Sequence, residues 1–149
     1  MSRTDLTLGA LSTRDHAFYG LLWAGATLTA RVDRELVRVH DLPMSWFEVM
    51  LWLQAQTEPI AASALGARTL LSRSQVSRVV DALHARGYVE RTTAPNDARS
   101  VQIALTDTGR AAFAAADATR RDVLAEAFDN RLDDHDIEAL ETVWRKLKQ

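Results

Sequence analysis

Hydrophobic positions recur at helical spacing along most of this chain and switch to alternation once, between residues 88 and 105. The first helical run follows Ser12 and ends near His40, with Phe18, Leu21, Leu22, Leu28, Val32, Leu36 and Val39 at helical intervals. Ser12 with Asp15 has the form of a capping box, with Asp where Glu or Gln is preferred. Gly20 and Gly25 weaken this helix unless another helix approaches there. Asp41-Leu42-Pro43 ends it, because proline disfavours a helical residue before it. Ser45-Trp46-Phe47-Glu48 then reads as a capping box with Ser45 as N-cap. The stretch from Trp46 to Leu53 leaves almost no polar face, which predicts a helix at the centre of the fold.

Glu58-Pro59-Ile60 interrupts the pattern and offers a very short strand. A short helix from about Ala62 to Arg68 follows, anchored by Leu65. Ser72-Arg73-Ser74-Gln75 opens another helix as a second capping box. Val76, Val79, Val80 and Leu83 form its apolar stripe, and Gly87 suits the position just past its end. Tyr88–Thr92 and Val101–Leu105 then alternate as two strands, and residues 93–100 supply the turn. Thr106 caps a further helix with Phe113, Val123, Leu124 and Phe128 on its apolar side. A final helix begins near Asp133 or Asp134, and Ile137, Leu140, Trp144 and Leu147 carry the spacing of a coiled-coil seam.

The expected fold is mainly α with a small β-hairpin wing. It is read as one unit over residues 1–149, with a winged helix-turn-helix head at 61–110 and a helical dimerisation region at 12–40 and 110–148. Charge sharpens this division. The whole chain has a net charge of −2, yet residues 63–110 hold seven arginines against four acids, a local excess of +3 on a body of −5. A basic patch on an acidic body still attracts phosphate, because charges are screened beyond about 8–10 Å. The chain has no cysteine, which removes disulfides, zinc–thiolate sites and thiol redox sensing. No apolar run is long enough to cross a bilayer and no secretory pattern opens the chain, so a soluble, cytoplasmic protein is expected.

The helix opened by Ser72 has the design of a groove reader. With its valines turned inward, Ser74, Ser77, Arg78 and Asp81 face outward, and Arg73 and Gln75 flank its start. Arginine pairs bidentately with guanine, glutamine with adenine, and serine hydroxyls serve bases or phosphates. A solvated amphipathic helix would present a similar face, so the hairpin decides between the two. Asp97-x-Arg99 followed by Leu105-Thr106-x-x-Gly109 resembles the hallmark of the MarR family of regulators. Val76-Ser77-Arg78-Val79-Val80-Asp81-x-Leu83 and Arg86-Gly87-Tyr88-Val89-Glu90-Arg91 resemble it too.

This resemblance implies a homodimer interlocked through its terminal helices, with two winged heads on double-stranded DNA carrying an inverted-repeat operator. Repression is the expected sense. The implied DNA-contacting set is Ser72, Arg73, Ser74, Gln75, Ser77, Arg78, Asp97 and Arg99. Arg99 maps onto a wing arginine that enters the minor groove, where a narrow groove concentrates negative potential. Asp97 is placed to brace Arg99 or another basic group. Members of this family are often released by a small aromatic or phenolic ligand, for which His16, Trp23, Arg31, Trp46, Phe47 and Met50 are the candidates.

Other chemistries find little footing. The four histidines lie on separate predicted elements without metal-ligand spacing. No G-x-S-x-G, Walker loop or H-E-x-x-H is present, so no enzyme and no cofactor is expected. Asp133, Asp134 and Asp136 sit where a helix start favours acids. The remaining alternative is a winged-helix module for protein–protein assembly without DNA binding, against which Arg73, Arg78 and Arg99 argue.

Overall fold

The computed structural model describes residues 11–148, so residues 1–10 and 149 of the expected unit lie outside it. Ser12 and Asp15 form a complete capping box and start α1, Thr13–His40. Asp41 ends α1 in the left-handed conformation at φ 51°. A short bend leads into α2, Met44–Gln54.

The N-terminus of α2 departs from expectation. Ser45 is not its cap, and no side chain of the adjoining residues fills that role. Asp33 reaches across from α1 and accepts from the Met44 amide at 2.7 Å. Glu48, expected to close the box, accepts instead from the Leu70 amide at 2.7 Å. A long-range carboxylate thus replaces a local hydroxyl, and a local acid is spent on a distant loop.

Strand β1, Ile60–Ala61, precedes α3, Ala62–Arg68. The second capping box is present: Ser72 and Gln75 start α4, Arg73–Ala85, and Gly87 at φ 73° follows its end. Val76, Val79, Val80 and Leu83 are all buried, as their spacing predicts. Strands β2, Val89–Ala94, and β3, Asp97–Leu105, form an antiparallel hairpin, and β1 adds to the other edge of β3.

The hairpin turn is shorter than expected. Ala94 pairs with Asp97, so Pro95 and Asn96 alone cross over. Thr93 pairs with Val101, which leaves Ala98, Arg99 and Ser100 as a bulge on β3. Polar residues read as turn material are strand here because the ladder supplies their backbone partners.

Thr106 caps α5, Asp107–Phe128, and Asp133 caps α6, Asp134–Leu147. The core centres on α2, which packs against α1, α3, α4, α5 and β3. Phe47 stacks on Phe113 with ring centroids 5.1 Å apart, and Leu65, Leu83, Ile103 and Leu105 close the interior around them. Each such side chain withdrawn from water contributes roughly 1.5–3 kcal/mol. Leu51, on the outer side of α2, stays exposed, so that helix is central without being wrapped on all sides.

Two apolar surfaces remain uncovered. The first half of α1 exposes Phe18, Leu22 and Trp23, and α6 buries none of its residues.

Candidate nucleic-acid interface

The start of α4 is rigidly built. The Ser72 hydroxyl accepts from the Gln75 amide, and Gln75 Oε1 accepts from the Ser72 amide at 2.8 Å. That contact occupies the glutamine oxygen needed for bidentate reading of adenine, leaving its amide nitrogen as a donor. Ser72 and Gln75 therefore fix the helix start, while Arg73, Ser74, Ser77 and Arg78 stay exposed beside it. Arg78 Nε lies 3.4 Å from the Ser74 carbonyl, which keeps the guanidinium along the outer face of α4.

The wing is braced from within. Asp97 Oδ1 accepts from the Arg99 backbone amide at 2.9 Å. The brace expected of Asp97 thus falls on the backbone of Arg99 and leaves the guanidinium exposed in the bulge. A cleft of ≈ 370 Å³ in the head is bordered by Ser63, Gly66, Arg73, Ser77, Asp81 and Val101. The cleft separates α4 from the root of the wing.

The charges sort into two groups. Among the described residues of the head, Arg86 pairs with Asp41, Arg91 with Asp81 and Arg110 with Asp107. Arg68, Arg73, Arg78 and Arg99 have no carboxylate partner within ion-pair distance among the described residues. Arg91 neutralises the acid on the outer side of α4, so that carboxylate is not free to pair with the arginines beside it. An unpaired, exposed cation is free to meet phosphate without first breaking a contact.

The six residues expected to bind an effector do not share one cavity. His16 and Trp23 are exposed on the first half of α1. Arg31 pairs with Glu126 of α5 at 2.6 Å. Trp46 is partly buried under the guanidinium of Arg86, 5.2 Å from its ring centroid. Phe47 and Met50 are wholly buried in the core.

Two contacts at the base of the head lie outside the sequence reading. Arg86 Nη2 lies 2.5 Å from Asp41 Oδ2. That hydrogen bond, followed by the Tyr88 side chain, holds the Arg86 pKa above its ordinary value. Gly109 packs so closely that an added Cβ would stand 2.0 Å from the Tyr88 carbonyl oxygen. Gly109 stood in a recognised motif, but its packing partner is twenty-one positions earlier and local spacing carries no sign of it.

The sequence model of the MarR family matches residues 40–100, which span the core helix, the helix-turn-helix and the wing bulge. The winged helix of this chain is thus similar to that of the MarR family. The HTH-type transcriptional regulator SarZ of Staphylococcus haemolyticus is 32% identical over 73 residues, 49% of this chain and 49% of that protein. The chain spans about half the length of the curated relatives it matches. The fold likeness is more extensive. Sco3205 of Streptomyces coelicolor, a MarR-family transcriptional regulator solved in complex with DNA, superposes with a TM-score of 0.83 at 22% identity, over 94% of this chain and 89% of that one. CouR of Rhodococcus jostii RHA1, solved bound to p-coumaroyl-CoA, gives 0.80 at 25% identity, over 93% and 95%. The MarR-type architecture therefore extends beyond the matched head into the terminal helices.

Proposed function

We propose that this protein is a sequence-specific, DNA-binding transcriptional regulator that acts as a repressor, gripping a pseudo-palindromic operator as a homodimer. The observation that carries this reading is the set of exposed arginines without acidic partners, Arg73 and Arg78 on α4 and Arg99 on the wing. In this reading Arg73, Arg78, Ser74 and Ser77 meet the major groove, and Arg99 enters the minor groove. Ser72, Gln75 and Asp97 hold the interface in shape and offer secondary contacts. A protein-assembly module would have no use for cations held free on this face.

Dimerisation is supported by the uncovered apolar surface. Phe18, Leu22 and Trp23 on α1 and Leu140, Trp144 and Leu147 on α6 are all exposed in the single chain. Covering such side chains recovers roughly 1.5–3 kcal/mol each, and a two-fold copy presents the matching set. A Cβ at Gly20 or Gly25 would meet nothing within 4 Å, so both glycines border open space that a partner helix could occupy.

Release by a small aromatic or phenolic ligand belongs to the same proposal, with CouR and its p-coumaroyl-CoA as its support. Of the candidate set, His16 and Trp23 are exposed and Arg31 and Trp46 partly so, whereas Phe47 and Met50 lie in the core. A cytoplasmic location follows from a role on DNA; no helix among the described residues is long and apolar enough to cross a membrane.

Footprinting on the protein's own upstream DNA tests the reading. Two protected half-sites about 34–36 Å apart are expected. A single asymmetric site, or no protection, overturns it.

A further inference from the structure

Three consecutive residues after α4 touch both joints by which the head leaves the helical base. The first joint is the bend at Asp41 between α1 and α2, and the second is Thr106 between β3 and α5. Arg86 Nη2 lies 2.5 Å from Asp41 Oδ2 and 3.4 Å from the Asp41 carbonyl oxygen. Its guanidinium also lies over the Trp46 ring. The Gly87 carbonyl accepts from Thr106 Oγ1 at 2.6 Å, and the Tyr88 carbonyl from the Thr106 amide at 3.0 Å.

The second joint is held by the Thr106 amide and hydroxyl and by the close packing of Gly109 on Tyr88. The first is closed within the base by Asp33 on the Met44 amide and by the buried Leu42, and the end of α4 is tied to it by hydrogen bonds from one side chain, Arg86. Asp41 holds its carboxylate on a fixed backbone: φ is 51°, and its amide bonds to the Leu36 and Val37 carbonyls. Glycine usually takes such a position at a helix end, and aspartate tolerates it. Here the aspartate also supplies the anion that Arg86 grips. An exposed ion pair alone contributes little, but this guanidinium also lies over an indole and reaches the backbone carbonyl of the same aspartate.

Geometry turns this clamp into a specificity element. Helix α4 has thirteen residues and is about 20 Å long. A tilt of about 10° about its C-terminal end would move its first turn by about 3.4 Å, one base step along a strand. We propose that Arg86 is a positioning residue: its grip on Asp41 and Trp46 fixes the angle of the recognition helix to the helical base, and with it the half-site spacing the dimer accepts. The inference rests on the dimeric operator-binding function proposed above.

The test measures affinity for operators whose half-sites are moved by one base pair in either direction. Wild type should bind the natural spacing at least tenfold more tightly than either altered one. Arg86→Ala should reduce that preference below threefold while keeping the wild-type salt slope, because Arg86 meets no phosphate. Asp41→Asn keeps the left-handed backbone and removes the charge, so it should give the same result even if the alanine variant folds poorly. Arg86→Lys should restore part of the preference. Trp46 emission, isolated by comparison with Trp46→Phe, should shift in both clamp variants. An unchanged spacing preference in well-folded Arg86→Ala and Asp41→Asn overturns the clamp, as does a salt slope that falls by about one, which would make Arg86 a phosphate contact. Failure of the wild type to bind any operator removes the underlying function, and the clamp's role with it, before a variant is made.

Discussion

The Gly109 Cα faces the Tyr88 carbonyl so closely that a methyl group there would lie 2.0 Å from the oxygen. Thr106 is held at the same place, its amide bonded to Tyr88 and its hydroxyl to Gly87. The first turn of α5 is thereby pressed onto the residues that follow α4, where β2 begins. Gly109→Ala forces backbone apart from backbone. It should cost at least about 1–3 kcal/mol in urea unfolding, the range for overpacked sites. A variant as stable as wild type would mean that α5 shifts freely and that the joint is soft.

Arg99 makes a different kind of contribution, since its side chain is exposed in the bulge. Arg99→Ala should weaken operator binding by about 1–3 kcal/mol and lower the salt slope, with the melting curve unchanged. Anisotropy titrations at several salt concentrations would measure both. Equal affinity and slope would remove Arg99 from the interface.

Charged replacements at Leu140 and Trp144, which are both exposed on α6, should dissociate the dimer and abolish operator binding together. Sedimentation of the double variant, followed by a gel shift, checks the pair of outcomes. A variant that stays dimeric, or a monomer that binds the operator fully, would contradict the assigned role of α6.

Glu35 offers a check on local electrostatics. The hydrogen bond from Arg38, at 2.7 Å, holds its carboxyl below the ordinary 4.5. A depressed folded pKa contributes stability that is present above the unfolded value and is lost as pH falls through the folded one. The Glu35 resonance should therefore titrate below 4.5 in carboxyl NMR and move up in Arg38→Ala. An unmoved inflection in that variant would assign the depression to other charges.

Much of this arrangement is legible in local sequence, for physical reasons that differ by element. Capping boxes at Ser12 and Ser72 need partners only three residues away, and the valine stripe of α4 needs only helical spacing. The failures are all non-local. Ser45 loses its capping role because Asp33, about two turns before the end of α1, reaches the Met44 amide first. The wing turn shrinks because strand pairing extends to Ala94 and Asp97, and a bulge absorbs the surplus. The Arg86–Asp41 contact joins residues forty-five positions apart, and nothing in either neighbourhood announces it.

The central claim is that the exposed arginines of α4 and the wing bind a specific duplex, and one competition titration tests it most directly. The protein would be titrated on its own upstream DNA against a scrambled duplex of equal length, at two salt concentrations. A specific complex should be at least about 10³-fold tighter than the scrambled one and should weaken steeply with salt. Replacing Arg73, Arg78 and Arg99 by alanine together should bring the two duplexes close to equal affinity and flatten the salt dependence. Equal binding of both duplexes by the wild type, or a salt slope that the triple replacement leaves unchanged, would contradict the account.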